Sequence, residues 1–321
     1  MTSITTSITR TRDRGHAPRS IFGYVWRVSA RQQIGLSLLA VLIFPLSMAP
    51  LELQRRIVND AIGGENLRWL LVLGGVYGGV VLVQGALKYA LRVWRGRVSE
   101  QVIRRMRERI ALGAVEQARE RKDDAIDEGE RIPMAAHEVE RVGGFVGDSL
   151  SEPVLQAGIL LSIIGYMLAV EPGVALVSLA FFVPQLIVVP VIQRTLNRRA
   201  RDKVRTVREL GERIADHELC IEHCDEHDDQ IGRIYANRMS YYRLKFLLKF
   251  LVNLFNHLAP LSVLIVGGYF VIEGRTTVGT IVAFITGFER MADPARQLLA
   301  HYRLAAEAQV QYRLLADRLA L

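Results

Sequence analysis

The stretch GVALVSLAFFVPQLIVVPVIQ, residues 173–193, contains 21 consecutive residues without a charged side chain. The hydrocarbon core of a lipid bilayer is about 30 Å thick, and a helix needs roughly 17–25 apolar residues to cross it. Four other uncharged runs reach this length, and one more, of 13 residues, is shorter. The four are residues 34–51, 69–87, 154–170 and 250–272, and the short run is 276–288. The sequence therefore predicts an all-α integral membrane protein.

Basic residues lie almost entirely on one side of these runs. Of the 41 Lys and Arg residues, 37 precede the first run, follow the last, or lie in the two long connections. These connections join the second run to the third and the fourth to the fifth. Lys and Arg are enriched in the cytoplasmic loops of membrane proteins. We therefore expect both termini and both long connections in the cytoplasm, and the protein in the plasma (inner) membrane.

The sixth run is too short to cross a bilayer by itself, and Glu289, Arg290 and Asp293 follow it at once. With only five crossings, the Arg-containing C-terminal end would lie outside, against the distribution of basic residues. We therefore predict six transmembrane helices, at about 34–51, 69–87, 154–170, 173–193, 250–272 and 276–297. The inner half of the sixth is expected to face protein or a water-filled cavity rather than lipid.

The composition excludes several classes of function. A net charge of +8 is typical of nucleic-acid-binding proteins, but these Arg residues cluster beside the apolar runs, where they meet lipid headgroups. We therefore expect membrane lipid, and no nucleic acid, as a partner. Both cysteines, Cys220 and Cys224, fall on the cytoplasmic side, so no structural disulfide is expected. No serine-hydrolase, zinc-protease or dinucleotide-binding motif is present.

Three segments outside the spans carry predictions of their own. Residues 1–19 are rich in Thr, Ser and Arg, which predicts a disordered basic cytoplasmic tail. Residues 20–31 place aromatic side chains beside Arg27 and Arg31. This mixture favours either a short helix in the headgroup plane or simply the start of the first membrane helix. Residues 57–66 are expected to form a polar external loop in which Gly63 and Gly64 supply the turn.

The two long connections, of 66 and 56 residues, are rich in Arg, Glu, Ala and Leu and poor in Pro. This composition predicts two cytoplasmic helical hairpins whose arms reach roughly 40 Å beyond the membrane. Acidic residues, Gly and Pro place the first tip at 123–133, and the segment around Gly211 places the second at 209–216. Levers of this length are expected in a machine driven from the cytoplasm.

Two segments near the C-terminus, 274–284 and 293–298, resemble the last transmembrane helix of ABC exporters. They share a glycine-containing turn, a Thr-Val-Gly start and a proline one helix length later. The segment from Gly129 through 139–142 resembles the first coupling segment of that family. Residues 212–214, with the tyrosines of 235–243, resemble the second coupling segment and its return helix. On this resemblance, residues 20–321 form one six-helix ABC exporter-type transmembrane domain.

The resemblance implies a homodimer, or a pair with a homologous membrane subunit, and separate nucleotide-binding ATPase subunits. The family's ATPase domain would follow Leu321. None of the five lysines follows a glycine, as the phosphate-binding loop requires, so we expect no ATPase activity from this chain itself. ATP and Mg²⁺ would act only through the partner. The hairpin tips would transmit its motion through Asp127, Glu128, Gly129, Glu130, Gly211, Glu212, Arg213 and Ile214.

A His/Cys cluster lies in the second connection. On a helix, His217, Cys220, Cys224 and His227 would share one face, and imidazole and thiolate suit zinc or copper. Four ligands on one straight helix cannot close a tetrahedron, so a second helix or a symmetry mate would have to contribute. We predict no metal for the chain alone and keep the four residues as candidates. The alternative is a polar flank of a coupling helix with two buried thiols.

Two patterns lie within the spans themselves. Gly74, Gly75, Gly78 and Gly79 overlay two G-x-x-x-G motifs, which predict close approach of another helix or a hinge. Ionisable and amide groups at membrane depth are costly, which makes them candidates for a transport pathway. The alternative is structural pairing, with Glu289 bound to Arg290 or Arg296. The pathway candidates are Asn253, Asn256, His257, Glu289, Arg290 and Asp293.

We interpret the chain as the membrane-spanning subunit of an ABC-type exporter, which forms the translocation pathway and couples to a separately encoded ATPase. Two other classes fit the same spans. One is an ATP-independent transporter that keeps this fold. The other is a non-transporting membrane scaffold or sensor, with the His/Cys cluster as its input. Co-purification of a nucleotide-binding protein would favour the exporter, and metal in the purified protein would favour the sensor.

Overall fold

In the computed structural model, which describes residues 20–120, 128–215 and 224–319, the chain forms eight α-helices and one π-helical segment. No strand occurs among these residues, and the all-α prediction is confirmed. The prediction for residues 1–19 lies outside the described residues. The helices are α1 (Ile21–Leu46), α2 (Ala49–Arg56), α3 (Leu67–Glu120), α4 (Glu128–Asp148), α5 (Ser151–Val170), α6 (Pro172–Ala215), α7 (Cys224–Ile272) and α8 (Val278–Leu319), with the π-helical segment Ile57–Ile62 after α2.

Within the described ranges, five helical segments are long and apolar enough to cross a membrane. They are Ile21–Ile62, Leu67–Leu112, Ser151–Val170, Pro172–Arg208 and Gly232–Ile272. The sixth predicted span lies in α8, which is one continuous helix of 42 residues. Helix α8 is not one of the five apolar segments because of its charged residues, although its 42 residues are more than one bilayer crossing requires. The chain is a multi-pass membrane protein.

The predicted hairpin arms are direct continuations of the membrane helices. Helices α3, α6 and α7 contain 54, 44 and 49 residues, more than twice the roughly 20 residues of one crossing. Helices α6 and α7 pair along their length. Asn237 Nδ2 donates a hydrogen bond to the Arg199 carbonyl oxygen at 3.4 Å. The helix propensity of Arg, Glu and Ala and the packing of α6 on α7 both stabilise these long helices.

The chain divides into two compact units. The first consists of the described parts of Met1–Ile43, Ala86–Leu155 and Ala300–Leu321. In it, α3 and α4 approach so closely that a Cβ at Gly147 would lie 2.3 Å from Ser99 Oγ. Arg107 and Glu140 form an ion pair between the same helices at 2.6 Å. The first hairpin is therefore held together by glycine contacts and by charge.

The second unit consists of Phe44–Gly85 and Gln156–Leu299. Helix α5 packs on its neighbours through glycine positions here too. A Cβ at Gly158 would lie 2.2 Å from the ring of Phe44, and one at Gly287 would lie 3.4 Å from Met167 Sδ. Small residues permit this approach between membrane helices, which have little hydrophobic driving force between them.

The start of α1 is a separate short helix. Ser29 has φ −137° and ψ 21°, outside the helical region, so residues 21–28 bend away from the rest of α1. The Ile21 N–H donates to Gln309 Oε1 at 2.9 Å, and the rings of Tyr24 and Tyr312 lie 5.3 Å apart. These contacts favour a distinct helix over a frayed start. Its position in the headgroup plane stays a prediction.

Two predicted turns differ from the structure. We expected the second hairpin tip at 209–216, but α6 continues through Gly211 to Ala215. A single glycine costs a helix only about 1 kcal/mol, which the surrounding good helix formers offset. The polar loop expected at 57–66 is π-helical over Ile57–Ile62, and Glu65, with φ 51°, takes the left-handed conformation instead of a glycine.

Candidate functional site

The polar residues in the inner half of the predicted sixth span share one face of α8. Glu289 lies eleven residues after the start of α8, about 16 Å along the helix, which is about half the thickness of a 30 Å bilayer core. Glu289, Asp293 and Gln297 are exposed, and Arg290 is half-buried. Lipid contact would be costly for such groups, so this face requires water or another protein surface.

Pairing within this face differs from the expected pattern. Asp293, not Glu289, pairs with Arg296 one turn further on. Arg290 Nη2 lies 3.5 Å from the hydroxyl of Tyr77 on α3. The predicted pairing of Glu289 with either arginine is therefore wrong. Gln297 Oε1 accepts a hydrogen bond of 2.5 Å from Gln156 Nε2 on α5. Helix α8 thus presents both charge and amide groups toward α3 and α5.

The candidates on α7 form a second polar group. Asn253, Asn256 and His257 are all exposed. Asn256 Oδ1 accepts a hydrogen bond of 3.3 Å from Gln185 Nε2 on α6. Among the residues that the structure describes, no hydrogen bond or ion pair joins these three side chains to the three candidates on α8. The six pathway candidates therefore form two separate polar faces, on α7 and on α8.

The coupling-tip residues lie at helix ends. Glu128, Gly129 and Glu130 lie in the first turn of α4, so the predicted tip at 123–133 overlaps the start of this helix. Gly211, Glu212, Arg213 and Ile214 all belong to the last turns of α6. A side chain added at Gly211 would meet no atom within 4 Å. Asp127 lies outside the described residues. The tips as a docking surface stay a prediction.

The metal candidates are only partly covered by the structure. His217 and Cys220 lie outside the described residues, and Cys224 and His227 fall in the first turn of α7. Within the described ranges, no group of three or more His, Cys, Asp or Glu residues could hold a metal ion. The cluster therefore stays an untested candidate.

The glycine stripe of α3 makes no close contact with the part of the chain that the structure describes. A Cβ at Gly74, Gly75, Gly78 or Gly79 would meet no atom within 4 Å. The predicted close approach of another helix is thus wrong for the helices described here. The close contacts occur instead at glycines that sequence reasoning did not select, such as Gly143 and Gly147 on α4. Their G-x-x-x-G spacing was the available signal.

A buried ion cluster in the first unit was also missed. Arg95 on α3 is 6% exposed, and its Nη1 atom pairs with Glu152 and lies 3.7 Å from Asp148. The ring of His301 on α8 stacks on Phe145 at 5.6 Å, beside the same acids. Burial raises the pKa of the Asp148 carboxyl and lowers the pKa of the His301 imidazole. Two acids four residues apart at the start of a membrane helix were the signal in the sequence.

We expect the stability of the protein to fall as pH decreases below about 6.5, partly through His301. Its pKa is lowered in the folded state, so the unfolded chain binds the proton more readily and acid favours unfolding. The raised pKa of Asp148 acts in the opposite direction. Comparing Tm between pH 5.5 and 7.5 for the wild type and His301→Gln isolates the histidine. An equal pH dependence in both proteins would refute this assignment.

Comparison with known proteins adds two findings. Residues 36–216 match the family described as the ABC transporter transmembrane region. The chain is also 28% identical, over 186 residues, to the "Putative multidrug export ATP-binding/permease protein YgaD" of Bacillus subtilis (strain 168). That alignment covers 53% of this chain and 31% of the relative, so the chain spans about a third of the relative's length. The polar faces of α7 and α8 lie beyond the family match.

Proposed function

The chain belongs to the family of ABC transporter transmembrane regions, and from this premise we propose that it forms the translocation pathway of an exporter driven by a separate ATPase. The observation that carries the proposal is the polar face of α8 at membrane depth, with Glu289, Arg290 and Asp293. Charges in this position are stable only beside water or protein. An aqueous pathway between two membrane subunits supplies both surroundings.

A second membrane subunit accounts for surfaces that this chain leaves uncovered. A Cβ added at any glycine of the α3 stripe would meet no atom of the described residues within 4 Å, although close backbone approach is the usual role of such a stripe. We propose that a second copy, or a homologous subunit, packs there. The relative's printed name includes both ATP binding and permease functions. By analogy, we propose that an ATPase subunit binds the hairpin tips and drives the helices between inward-facing and outward-facing states.

Helix α6 is continuous through Gly211 to Ala215, which suggests a direct test of the proposed coupling at the second tip. Gly211→Pro should break the last turns of α6, because proline costs a helix interior about 3 kcal/mol or more. Gly211→Ala is the matched control, since its methyl group meets nothing within 4 Å. In affinity capture from native membranes, we expect the wild type and Gly211→Ala, but not Gly211→Pro, to retain a partner whose ATP hydrolysis depends on this chain.

Each outcome of this capture experiment has a clear meaning. Equal retention by Gly211→Pro would move the docking surface away from the second tip. Absence of any nucleotide-binding partner from the wild-type capture would contradict the exporter proposal and favour an ATP-independent transporter. All variants should first be shown to be inserted in the membrane in equal amounts.

We also propose that both termini and both hairpins lie in the cytoplasm of a cell whose plasma membrane holds the chain. In a background without Cys220 and Cys224, cysteines at Glu65 and Glu273 should react with a membrane-impermeant maleimide added to intact cells. A cysteine at Gly211 should react only after the membrane is opened. Labelling at Gly211 in intact cells would refute this topology.

A further inference from the structure

The connections expected on the outer side of the membrane converge in the second unit. Glu52, in the first turn of α2, is the centre of one group of contacts. Its carboxylate accepts hydrogen bonds from Arg55 Nε at 2.9 Å and Nη2 at 2.8 Å, and from Arg56 Nε at 2.7 Å. Tyr166, one turn from the end of α5, donates its hydroxyl to the same carboxylate at 3.0 Å. Glu52 thus joins α2 to the outer end of α5.

Asn59 makes a second junction, with the start of α8. Its Oδ1 atom accepts the Gly279 N–H at 2.9 Å, and its Nδ2 atom donates to Thr277 Oγ1 at 2.8 Å. The first four N–H groups of a helix have no partner within the helix. Asn59 therefore caps α8 from a different part of the chain, more than 200 residues away in sequence.

Close backbone contact strengthens this junction. A Cβ at Gly279 would lie 2.4 Å from the Arg55 carbonyl oxygen and 2.6 Å from Asn59 Oδ1. Only glycine permits this approach, because the nearest atom, the Arg55 carbonyl oxygen, belongs to the backbone and cannot rotate away. The start of α8 therefore rests directly on the end of α2 and on the π-helical segment.

The π-helical form of Ile57–Ile62 places Asn59 for this contact. The Gly63 N–H bonds to the Val58 carbonyl oxygen at 3.1 Å, and the Asn66 N–H bonds to that of Ala61 at 3.0 Å, both five residues back. Such π-helical turns are rare and are frequently found at functional sites. An extra residue per turn rotates the side chains that follow and so changes their direction.

We propose that Glu52, Asn59, Tyr166, Thr277 and Gly279 form an outer latch that holds the outer end of the translocation pathway closed. The proposal rests on the proposed function. Opening the pathway outward would separate α8 and α5 from α2 and the π-helical segment, and the three hydrogen bonds that Glu52 and Asn59 make to Tyr166, Thr277 and Gly279 would then break. Water can replace each of these hydrogen bonds, so the latch is reversible.

Accessibility of a pathway residue reports the state of the latch without requiring transport. Cysteine at Glu289, in a background without Cys220 and Cys224, provides the probe, and a membrane-impermeant maleimide is applied to right-side-out and inside-out vesicles. Asn59→Ala removes two hydrogen bonds, and Gly279→Ala wedges α8 away from Arg55. We expect each to raise the rate of labelling from outside about tenfold or more, as loss of about 1.4 kcal/mol of contact would do.

Two controls separate the latch from general destabilisation. Gly268→Ala introduces the same methyl group on α7, where it meets nothing within 4 Å, and should leave outside labelling unchanged. Asn59→Asp keeps the oxygen that caps Gly279 and should have a smaller effect than Asn59→Ala. Combining Glu52→Ala with Tyr166→Phe should add little to Glu52→Ala alone, because loss of the carboxylate already removes the hydrogen bond from the Tyr166 hydroxyl.

The outcomes distinguish the latch from the underlying function. The latch would be refuted if the cysteine at Glu289 reacts from inside but neither Asn59→Ala nor Gly279→Ala changes its rate of labelling from outside. The proposed pathway would then remain intact. A probe that reacts from neither side would refute the pathway, and the latch with it. Equal increases in the rate of outside labelling in Gly268→Ala and Gly279→Ala would also overturn the proposal, because the contact at Gly279 would then not be the cause.

Discussion

Replacing Arg95 with methionine is expected to lower the free energy of unfolding by about 3–5 kcal/mol. The Arg95 side chain is 8% exposed and pairs with Glu152, which is 18% exposed. Asp148 lies 3.7 Å away. Removing the guanidinium leaves the largely buried Glu152 carboxyl, and the Asp148 carboxyl, whose side chain is 43% exposed, without the charge of Arg95. The cost of an unpaired buried charge, more than the lost attraction, sets the size of the effect.

Arg104→Met is the matched control for this experiment. Arg104 lies on the same helix and pairs with Glu108, but its side chain is 81% exposed. Exposed pairs of this kind contribute about 1 kcal/mol or less. Chemical unfolding in detergent, followed by tryptophan fluorescence, should separate the two variants clearly. Similar losses in Arg95→Met and Arg104→Met would contradict the buried cluster.

The double replacement Arg95→Met with Glu152→Gln should recover part of the loss. Among the described residues, Arg95 Nε and Nη2 are buried without a hydrogen-bond partner. The cluster as a whole is therefore costly to bury, and an uncharged pair of similar size avoids that cost. A double variant as unstable as the sum of the single variants would show that Arg95 and Glu152 do not act as a pair.

Gly147→Ala is expected to destabilise the first hairpin by about 1–3 kcal/mol. Its new methyl group would lie 2.3 Å from Ser99 Oγ and 2.5 Å from the Arg95 carbonyl oxygen. Ser99 could rotate, but the backbone oxygen could not, so α4 would have to move away from α3. This movement would also lengthen the nearby contact between Arg95 and Asp148.

Gly144→Ala provides a control only three residues away on the same helix. A Cβ there would meet nothing within 4 Å. Because alanine is a better helix former than glycine, this variant should be unchanged or stabilised by up to about 1 kcal/mol. Thermal unfolding of the two variants in the same detergent gives the comparison. Equal Tm values would show that α3 and α4 do not meet at Gly147.

The membrane helices could be predicted from the sequence because the bilayer imposes a length on every apolar run. Residues 154–170 and 173–193 were assigned as spans on length and charge alone, and α5 and α6 contain them. The sixth helix required a further argument, from the distribution of Arg and Lys. Its polar residues lower the hydropathy of α8, although the helix itself is continuous.

The contacts between helices could not be predicted in the same way. Gly74 and Gly78 have the same spacing as Gly143 and Gly147, yet only the second pair meets another helix within this chain. Spacing shows which glycines share a face, whereas the neighbour of that face depends on tertiary structure. The same limit applies to Asn59, whose partner Gly279 lies far away in sequence.

Local turn signals did not fix the positions of the hairpin tips. Gly129 and Pro133, which were expected to mark the first hairpin tip, lie within α4, and the residues between Glu120 and Glu128 are outside the described ranges. Gly211 alone did not end α6, because one glycine weakens a helix only slightly. Pairing of charges was also misjudged. Asp293 and Arg296, three residues apart, pair in place of Glu289.

The most direct test of the pathway is a cysteine scan of α8 in inside-out vesicles that retain the native partners. Cysteines at Glu289, Asp293 and Gln297 should react with a membrane-impermeant maleimide much faster than cysteines at the apolar, exposed Leu264 and Ile265 of α7. Adding Mg-ATP should slow the reaction at Glu289 as the inner side closes. Equally slow reaction at all five positions, unaffected by Mg-ATP, would contradict the proposal that α8 lines an ATP-driven pathway.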